Sequence, residues 1–72
     1  MPIDILVLLV RRLRYLRTTR DISQDDLAAL AGISRVTLSR IENGKVDASI
    51  YTLSNLTKAL GCKLVDLFNG LD

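Results

Sequence analysis

The side chains of this 72-residue chain that are best suited to chemistry lie between Ser34 and Asn43. A helix over this segment that buries Leu38 and Ile41 turns its opposite face toward solvent. That outward face and its flank carry Arg35, Val36, Ser39 and Arg40. Arginine can donate two hydrogen bonds to O6 and N7 of guanine, and valine can contact the methyl group of thymine. The pattern predicts contacts to base edges; the alternative is that Val36 packs against a neighbouring loop.

A second group of residues around this segment has the chemistry to bind phosphate. Its members lie at the starts of predicted helices, beside the outward face, or just past a helix end: Gln24, Ser34, Thr37, Asn43 and Lys45. Free backbone N–H groups at the start of a helix favour an anion. Contacts to phosphate would position the protein on DNA without reading its sequence.

These groups require two short helices that meet at a sharp turn, and residues 24–43 predict such a pair. Ala28 is small where two helices must approach closely, and Gly32 permits the turn between them. The apolar residues that would hold the pair together are Leu27, Ala31, Ile33, Leu38 and Ile41. A tight helix pair with glycine in the turn is typical of the helix-turn-helix unit.

The rest of the chain predicts further helices and no strand, which makes a single all-α domain of five helices over residues 1–72. A stripe of leucines at positions 6, 9, 13 and 16 predicts a first helix from about Asp4 to Thr18. Serines at positions 23, 34 and 49 are good N-caps for the second, third and fourth helices. The fifth helix is predicted to be short, from about Leu64 to Phe68, ahead of Gly70.

Composition argues against several classes of protein. Cys62 is the single cysteine and histidine is absent, so an internal disulfide is impossible and a structural zinc site is not expected. Neither a catalytic carboxylate pair nor a glycine-rich phosphate loop is recognisable, so we expect neither an enzyme nor a bound cofactor. The apolar stretch 3–10 is too short for a membrane span, which takes about 20 residues. We expect a cytoplasmic protein with no membrane partner.

Charge is distributed unevenly although the formal net charge is only +2. Five arginines crowd residues 11–20, whereas the acidic residues lie elsewhere. An uneven basic face suits the phosphate backbone of a nucleic acid. The alternative is an ordinary solvated helix face.

In order and spacing, several segments resemble the lambda-repressor-like family, also called the Cro/CI or XRE family. The resemblance covers about residues 9–68 and rests on segments 13–17, 23–28, 31–34, 41–45 and 59–61. It implies a five-helix bundle with the third helix in the major groove of DNA. It also implies base reading by Arg35, Val36 and Arg40, backbone contacts by Gln24, Asn43 and Lys45, and a structural pair between Arg17 and Glu42.

The chain departs from the family pattern in three places. Asp21 stands where a glycine is frequent, and Ala48 stands where a proline is common ahead of the fourth helix. The N-terminus is more apolar than the fold requires. This surplus and the fifth helix supply the candidate residues of a dimer interface, which are Ile5, Leu8, Val65, Phe68 and Leu71.

From these features we expect a transcriptional regulator, a repressor by default, that binds a near-palindromic DNA operator as a homodimer. A two-fold dimer would place its two recognition helices about 34 Å apart, which is one turn of B-DNA. The half-site is expected to contain guanine with thymine nearby. The alternatives are a protein-interaction module, such as the antitoxin of a toxin–antitoxin pair, and a restriction-modification controller protein.

Overall fold

Residues 4–69, which the computed structural model describes, form four α-helices and one short 3₁₀ helix and contain no strand. The α-helices are α1 (Ile5–Thr18), α2 (Gln24–Ala31), α3 (Arg35–Glu42) and α4 (Ile50–Ala59), and the 3₁₀ helix is Leu64–Leu67. The expectation of an all-helical fold is therefore confirmed over these residues. Leu71, a candidate residue of the dimer interface, lies outside the described residues.

Each of the three predicted serine caps begins its helix. Ser23, Ser34 and Ser49 accept a hydrogen bond from the backbone N–H three residues later, at 3.0, 3.0 and 3.1 Å respectively. Asp4, which the sequence analysis did not single out as a cap, serves α1 by accepting from the N–H of Leu6 at 2.9 Å. Caps of this kind stabilise a helix by about 1 kcal/mol each.

The prediction of a fifth α-helix is wrong, because the segment after α4 forms a single 3₁₀ turn. Its backbone bonds span three residues, from Asp66 N–H to Lys63 O at 2.9 Å and from Phe68 N–H to Val65 O at 3.0 Å. The Asp66 carboxylate also turns back to accept the Lys63 N–H at 2.7 Å. Four residues closed in this way leave no room for the longer i to i+4 bonds of an α-helix.

One core holds the helices together and fixes the angle between α2 and α3. Each described α-helix and the 3₁₀ helix contributes at least one fully buried leucine: Leu13, Leu27, Leu38, Leu56 and Leu67. α2 packs against both α3 and α4, and α1 packs against α3. The helix pair of residues 24–42 is consequently anchored on the rest of the domain along its inner side.

Two of the turns with a positive φ angle flank α2. Gly32, between α2 and α3, has φ of +76°, which glycine adopts freely. Asp21, between α1 and α2, has φ of +55° and is the one residue other than glycine with positive φ within residues 4–69. This is the position where the family resemblance would place a glycine, so the backbone keeps the left-handed turn although the side chain differs.

Candidate nucleic-acid interface

The outer face of α3 projects from the domain while its inner face is locked into the core. Leu38 and Ile41 are 0% and 2% exposed, whereas Val36 is 53% exposed. Arg35 and Arg40 are exposed as well, and Ser39 is half-buried. Val36 is therefore not covered by a neighbouring loop, and α3 presents an apolar side chain between two cations on one continuous surface.

Ser34 and Thr37, at the start of α3, share one hydroxyl network. Ser34 Oγ accepts the Thr37 N–H at 3.0 Å and donates its proton to Thr37 Oγ1 at 2.8 Å. Its hydroxyl is then occupied as donor and acceptor, whereas the hydroxyl proton of Thr37 stays available. Because a phosphate oxygen needs a donor, Thr37 is the better equipped of the two to contact phosphate.

Gln24, the first residue of α2, is half-buried and held by α3. Its amide Nε2 donates to Glu42 Oε1 at 3.0 Å, which leaves its second amide N–H free to reach outward. Asp25 and Asp26 follow it in the first turn and are exposed. Their charges repel an anion at the start of α2, so a phosphate contact here depends on the amide of Gln24 more than on the helix terminus alone.

Asn43 and Lys45 lie past the end of α3 with exposed side chains. Asn43 is the C-cap of α3, and its Nδ2 donates to Ser39 Oγ at 3.4 Å. The Lys45 backbone N–H donates to Arg40 O at 2.9 Å, so the backbone of this turn is fixed to α3. The Lys45 ammonium is therefore exposed beside the end of α3, where it could contact an anion.

Arg17 and Glu42 form the buried ion pair of the fold. Arg17 Nε and Nη2 donate to the two carboxylate oxygens of Glu42 at 2.7 and 3.0 Å. Arg17 Nη1 also donates to Ile22 O at 2.9 Å. The side chains are 12% and 1% exposed. The pair joins α1 to the end of α3 and occupies the guanidinium, so Arg17 is not presented to DNA.

A second ion pair involves a residue that the sequence analysis did not select. Arg35 Nε lies 3.4 Å from Asp25 Oδ1, and both side chains are more than half exposed. Asp25 is in the first turn of α2 and Arg35 opens α3, so this pair bridges the two helices of the motif at its solvent side. No sequence spacing indicates such a contact, because it depends on how the turn at Gly32 folds α3 back.

Most of the five arginines within residues 11–20 have structural partners. Besides Arg17, Arg12 donates from Nε to Asp66 O at 3.1 Å and lies 5.3 Å from the ring centre of Tyr15. Arg20 donates from Nη1 to Leu16 O at 3.0 Å. The cluster is therefore largely engaged within the fold, and the Arg11 and Arg14 side chains are the members exposed without a side-chain hydrogen bond to residues 4–69.

The candidate dimer residues differ in how much surface they offer. Ile5, Val65 and Phe68 are 56%, 60% and 43% exposed, whereas Leu8 is half-buried against the domain. The 3₁₀ helix packs on α1 and α4 and thus presents Val65 and Phe68 from the end of the bundle. The candidates therefore fall in two places on the surface, one on α1 and one at the 3₁₀ helix.

Residues 4–69 enclose no ligand-sized cavity, and none of their acidic and cysteine side chains form a group of three that could hold a metal ion. No helix among them is long and apolar enough to cross a membrane. Burial raises the pKa of the half-buried Cys62 thiol, an effect that Arg20 and Arg12 partly offset and Asp66 reinforces.

Comparison with known proteins gives consistent matches. The sequence profile of the helix-turn-helix family HTH_3 matches residues 13–67. Control protein C.MunI from Mycoplasma is 34% identical over 70 residues, which cover 96% of this chain and 95% of that protein. An uncharacterized HTH-type transcriptional regulator of Methanocaldococcus jannaschii is 39% identical over 57 residues, or 79% of this chain and 86% of the relative.

Solved structures agree with the sequence matches. The restriction-modification controller protein C.AhdI from Aeromonas hydrophila superposes with a TM-score of 0.84 at 36% identity, over 88% of this chain and 96% of that one. The DNA-binding domain of the P22 C2 repressor superposes with a TM-score of 0.79 at 31% identity, over 86% and 82% of the two chains. The likeness extends over nearly the whole of the described fold.

Proposed function

This chain belongs to the HTH_3 family of helix-turn-helix transcriptional regulators, and from that premise we propose that it represses transcription as a homodimer on a near-palindromic DNA operator. The observation that carries the proposal is the outer face of α3, where exposed Arg35 and Arg40 flank exposed Val36. With α3 in the major groove, the two guanidinium groups donate to guanine and the valine contacts a thymine methyl.

Phosphate contacts on either side of the groove hold α3 in register. Thr37 supplies its hydroxyl proton, Gln24 its second amide N–H, and Lys45 its ammonium charge. Asn43 is a further candidate for a phosphate contact, and hydrogen bonds fix the backbone around it to α3. These contacts supply affinity that falls with salt concentration, whereas the face of α3 supplies the choice of sequence.

The size of the proposed reading surface and the exposed apolar residues support the homodimer. One short helix reads only a few base pairs, and a two-fold axis doubles the site without a second reading domain. The exposed apolar residues Ile5, Val65 and Phe68 supply area for self-association. Repression requires only that the bound dimer blocks access of polymerase to the promoter.

The proposal is tested by selecting duplexes from a random DNA library with the purified chain at near-physiological salt. We expect a two-fold symmetric site whose half-sites contain guanine and are about 10–11 base pairs apart. Half-sites made only of A·T pairs would contradict the base-reading assignment. If no duplex is enriched and binding vanishes as the salt concentration rises, the protein binds DNA only by nonspecific attraction to phosphate.

Within the regulator class, a restriction-modification controller is the more specific candidate. Two similar proteins that bear this kind of name, C.MunI and C.AhdI, match over 95% and 96% of their own lengths. This role predicts that the selected operator lies in a promoter of a restriction-modification system. If the operators are found only at unrelated promoters, the controller role is excluded and the proposal of a transcriptional regulator still stands.

A further inference from the structure

The exposed ion pair between Asp25 and Arg35 lies at the solvent side of the helix-turn-helix motif. Within residues 4–69 the other ion pair, between Arg17 and Glu42, is buried and joins elements of the scaffold. The Asp25–Arg35 pair instead joins the scaffold to a side chain that the proposed function assigns to base reading. Arg35 is 57% exposed and Asp25 is 78% exposed, so both are accessible to DNA.

The geometry leaves the reading edge of the guanidinium free. Asp25 Oδ1 approaches Nε at 3.4 Å, a distance longer than a good hydrogen bond but well within an ion pair. A guanidinium has five N–H donors, and the two terminal nitrogens form an edge separate from Nε. Arg35 can therefore keep Asp25 at Nε while its terminal nitrogens donate to O6 and N7 of guanine.

We propose that Asp25 is a positioning residue that orients Arg35 toward guanine and thereby sets the base preference of the protein. The inference rests on the proposed function, because it requires that α3 read DNA. Asp25 does not itself contact a base in this arrangement. It restricts the rotamers of a long, exposed arginine, so that less conformational freedom is lost when the guanine contact forms.

The same carboxylate also opposes DNA binding in general. Asp25 repels phosphate wherever the protein binds, whereas it orients Arg35 usefully only where guanine is present. Removal of the carboxylate should therefore strengthen binding to unrelated DNA and weaken discrimination at the guanine. Asp26 provides a matched control, because it lies in the same turn, is exposed, and makes no ion pair with other residues of the described range.

The experiment compares wild type, Asp25→Asn, Asp26→Asn, Asp25→Glu and Arg35→Ala. Dissociation constants are measured at one salt concentration for the selected operator and for the same duplex with the contacted guanine pair replaced by an adenine pair. We expect Asp26→Asn to tighten both complexes alike and leave their ratio unchanged. Asp25→Asn should lower the ratio by about three- to tenfold, and Asp25→Glu should restore part of it.

The double variants separate positioning from charge. In an Arg35→Ala background, Asp25→Asn and Asp26→Asn should have equal effects on both duplexes, because no arginine remains to be oriented. Thermal unfolding of each variant verifies that it is folded. Should Asp25→Asn not fold, Asp25→Ser removes the same carboxylate with a smaller side chain and gives the same comparison.

The measurements distinguish the role of Asp25 from the DNA-reading function. An Asp25→Asn ratio equal to that of Asp26→Asn, or an Arg35→Ala variant that keeps full guanine preference, would overturn the role of Asp25 and leave the DNA-reading function in place. A wild-type protein that selects no DNA site would overturn both.

Discussion

Arg17 and Glu42 form a two-pronged ion pair between α1 and the last residue of α3, and Glu42 Oε1 also accepts from Gln24 at 3.0 Å. Both oxygens of the buried Glu42 carboxylate therefore accept hydrogen bonds from side chains of α1 and α2. The arrangement fixes the C-terminal end of α3 against two other helices. The orientation of the outer face of α3 therefore depends on a contact made on the buried side of the helix.

Glu42→Gln should destabilise the fold by about 3 kcal/mol, because it leaves the largely buried Arg17 cation without its counter-charge. The free energy of unfolding is measured by urea denaturation with circular dichroism. The combined Arg17→Met and Glu42→Leu variant should lose less than the sum of the two single losses, since neither charge remains buried.

The exposed pair is the control for this prediction. Asp25→Asn disrupts an ion pair of the same type at the surface and should cost less than about 1 kcal/mol. A loss of similar size for Glu42→Gln and Asp25→Asn would show that the Arg17–Glu42 pair does not hold the helices together.

Asp21→Gly should stabilise the protein modestly, by about 0.5 kcal/mol. The φ angle of +55° strains most side chains, and glycine removes that strain at the cost of a more flexible unfolded chain. Asp21→Ala should have the opposite sign, because alanine lacks the tolerance of aspartate for this conformation.

Thermal unfolding checks these signs, since 1 kcal/mol shifts the midpoint of a domain this small by roughly 4–8 °C. Gly32→Ala calibrates the cost of the backbone alone: an added Cβ there meets no atom within 4 Å, so only the φ angle of +76° opposes it. A lower midpoint for Asp21→Gly would mean that the aspartate side chain itself supports the turn.

Local signals predicted most of the fold. Serine caps and the leucine stripe of α1 act within one or two turns of chain, so the helix starts and the inward faces of α1 and α3 were predictable. The end of the chain was less predictable, because a 3₁₀ turn and an α-helix share the same apolar residues. The distinction depends on whether the Asp66 carboxylate closes back on Lys63, which it does.

The sequence predicted which side chains of α3 are exposed at the candidate site, but not all of the contacts that the charged side chains make. Exposure of Arg35, Val36 and Arg40 follows from burial of Leu38 and Ile41, which the sequence pattern indicated. The Arg17–Glu42 pair was expected from the family resemblance and is present, whereas the partners of Arg12 and Arg35 were not predictable, because they come from other elements of the fold. The Arg12 contact to the 3₁₀ helix spans 54 residues, and it removes one arginine from the exposed basic cluster.

Cys62 should react slowly with iodoacetamide in the folded protein. Burial raises the pKa of its thiol, so less of the reactive thiolate is present at a given pH than in the unfolded chain. The folded state therefore holds this proton more tightly. The contribution of the Cys62 thiol to the free energy of unfolding is complete below the pKa of the unfolded thiol. It is lost as pH rises through the higher pKa of the folded thiol.

Cys62→Ser should abolish this pH-dependent part of the unfolding free energy while leaving the rest of the profile unchanged. Alkylation rates of folded and urea-unfolded wild type, followed by mass spectrometry across alkaline pH, provide the direct measurement. Equal rates at every pH would contradict a raised thiol pKa.

The residues proposed to read bases and those proposed to bind phosphate should respond differently to truncation. Arg35→Ala and Arg40→Ala should each weaken operator binding by about 1–3 kcal/mol and relax base preference at one position. Lys45→Ala should weaken all sequences alike and reduce the salt slope by about one unit. Fluorescence anisotropy against the selected and a scrambled duplex, over a series of salt concentrations, separates the two patterns.

The same variants also discriminate the interaction-module alternative. If Arg35→Ala, Arg40→Ala and Lys45→Ala leave DNA binding unchanged while binding of a protein partner is lost, the surface of α3 serves protein recognition instead. Loss of DNA binding without loss of folding supports the regulator.

The two apolar areas should differ in their effect on self-association. Of the two candidates on α1, Ile5 is well exposed and Leu8 is half covered by its own domain, whereas Val65 and Phe68 are both exposed at the 3₁₀ helix. Aromatic side chains contribute large contact area to interfaces. We therefore expect Phe68→Glu to yield a monomer by sedimentation velocity at micromolar concentration, and Ile5→Glu to remain a dimer. The reverse result would assign the interface to α1, and a wild-type chain that stays monomeric with and without DNA would remove the homodimer altogether.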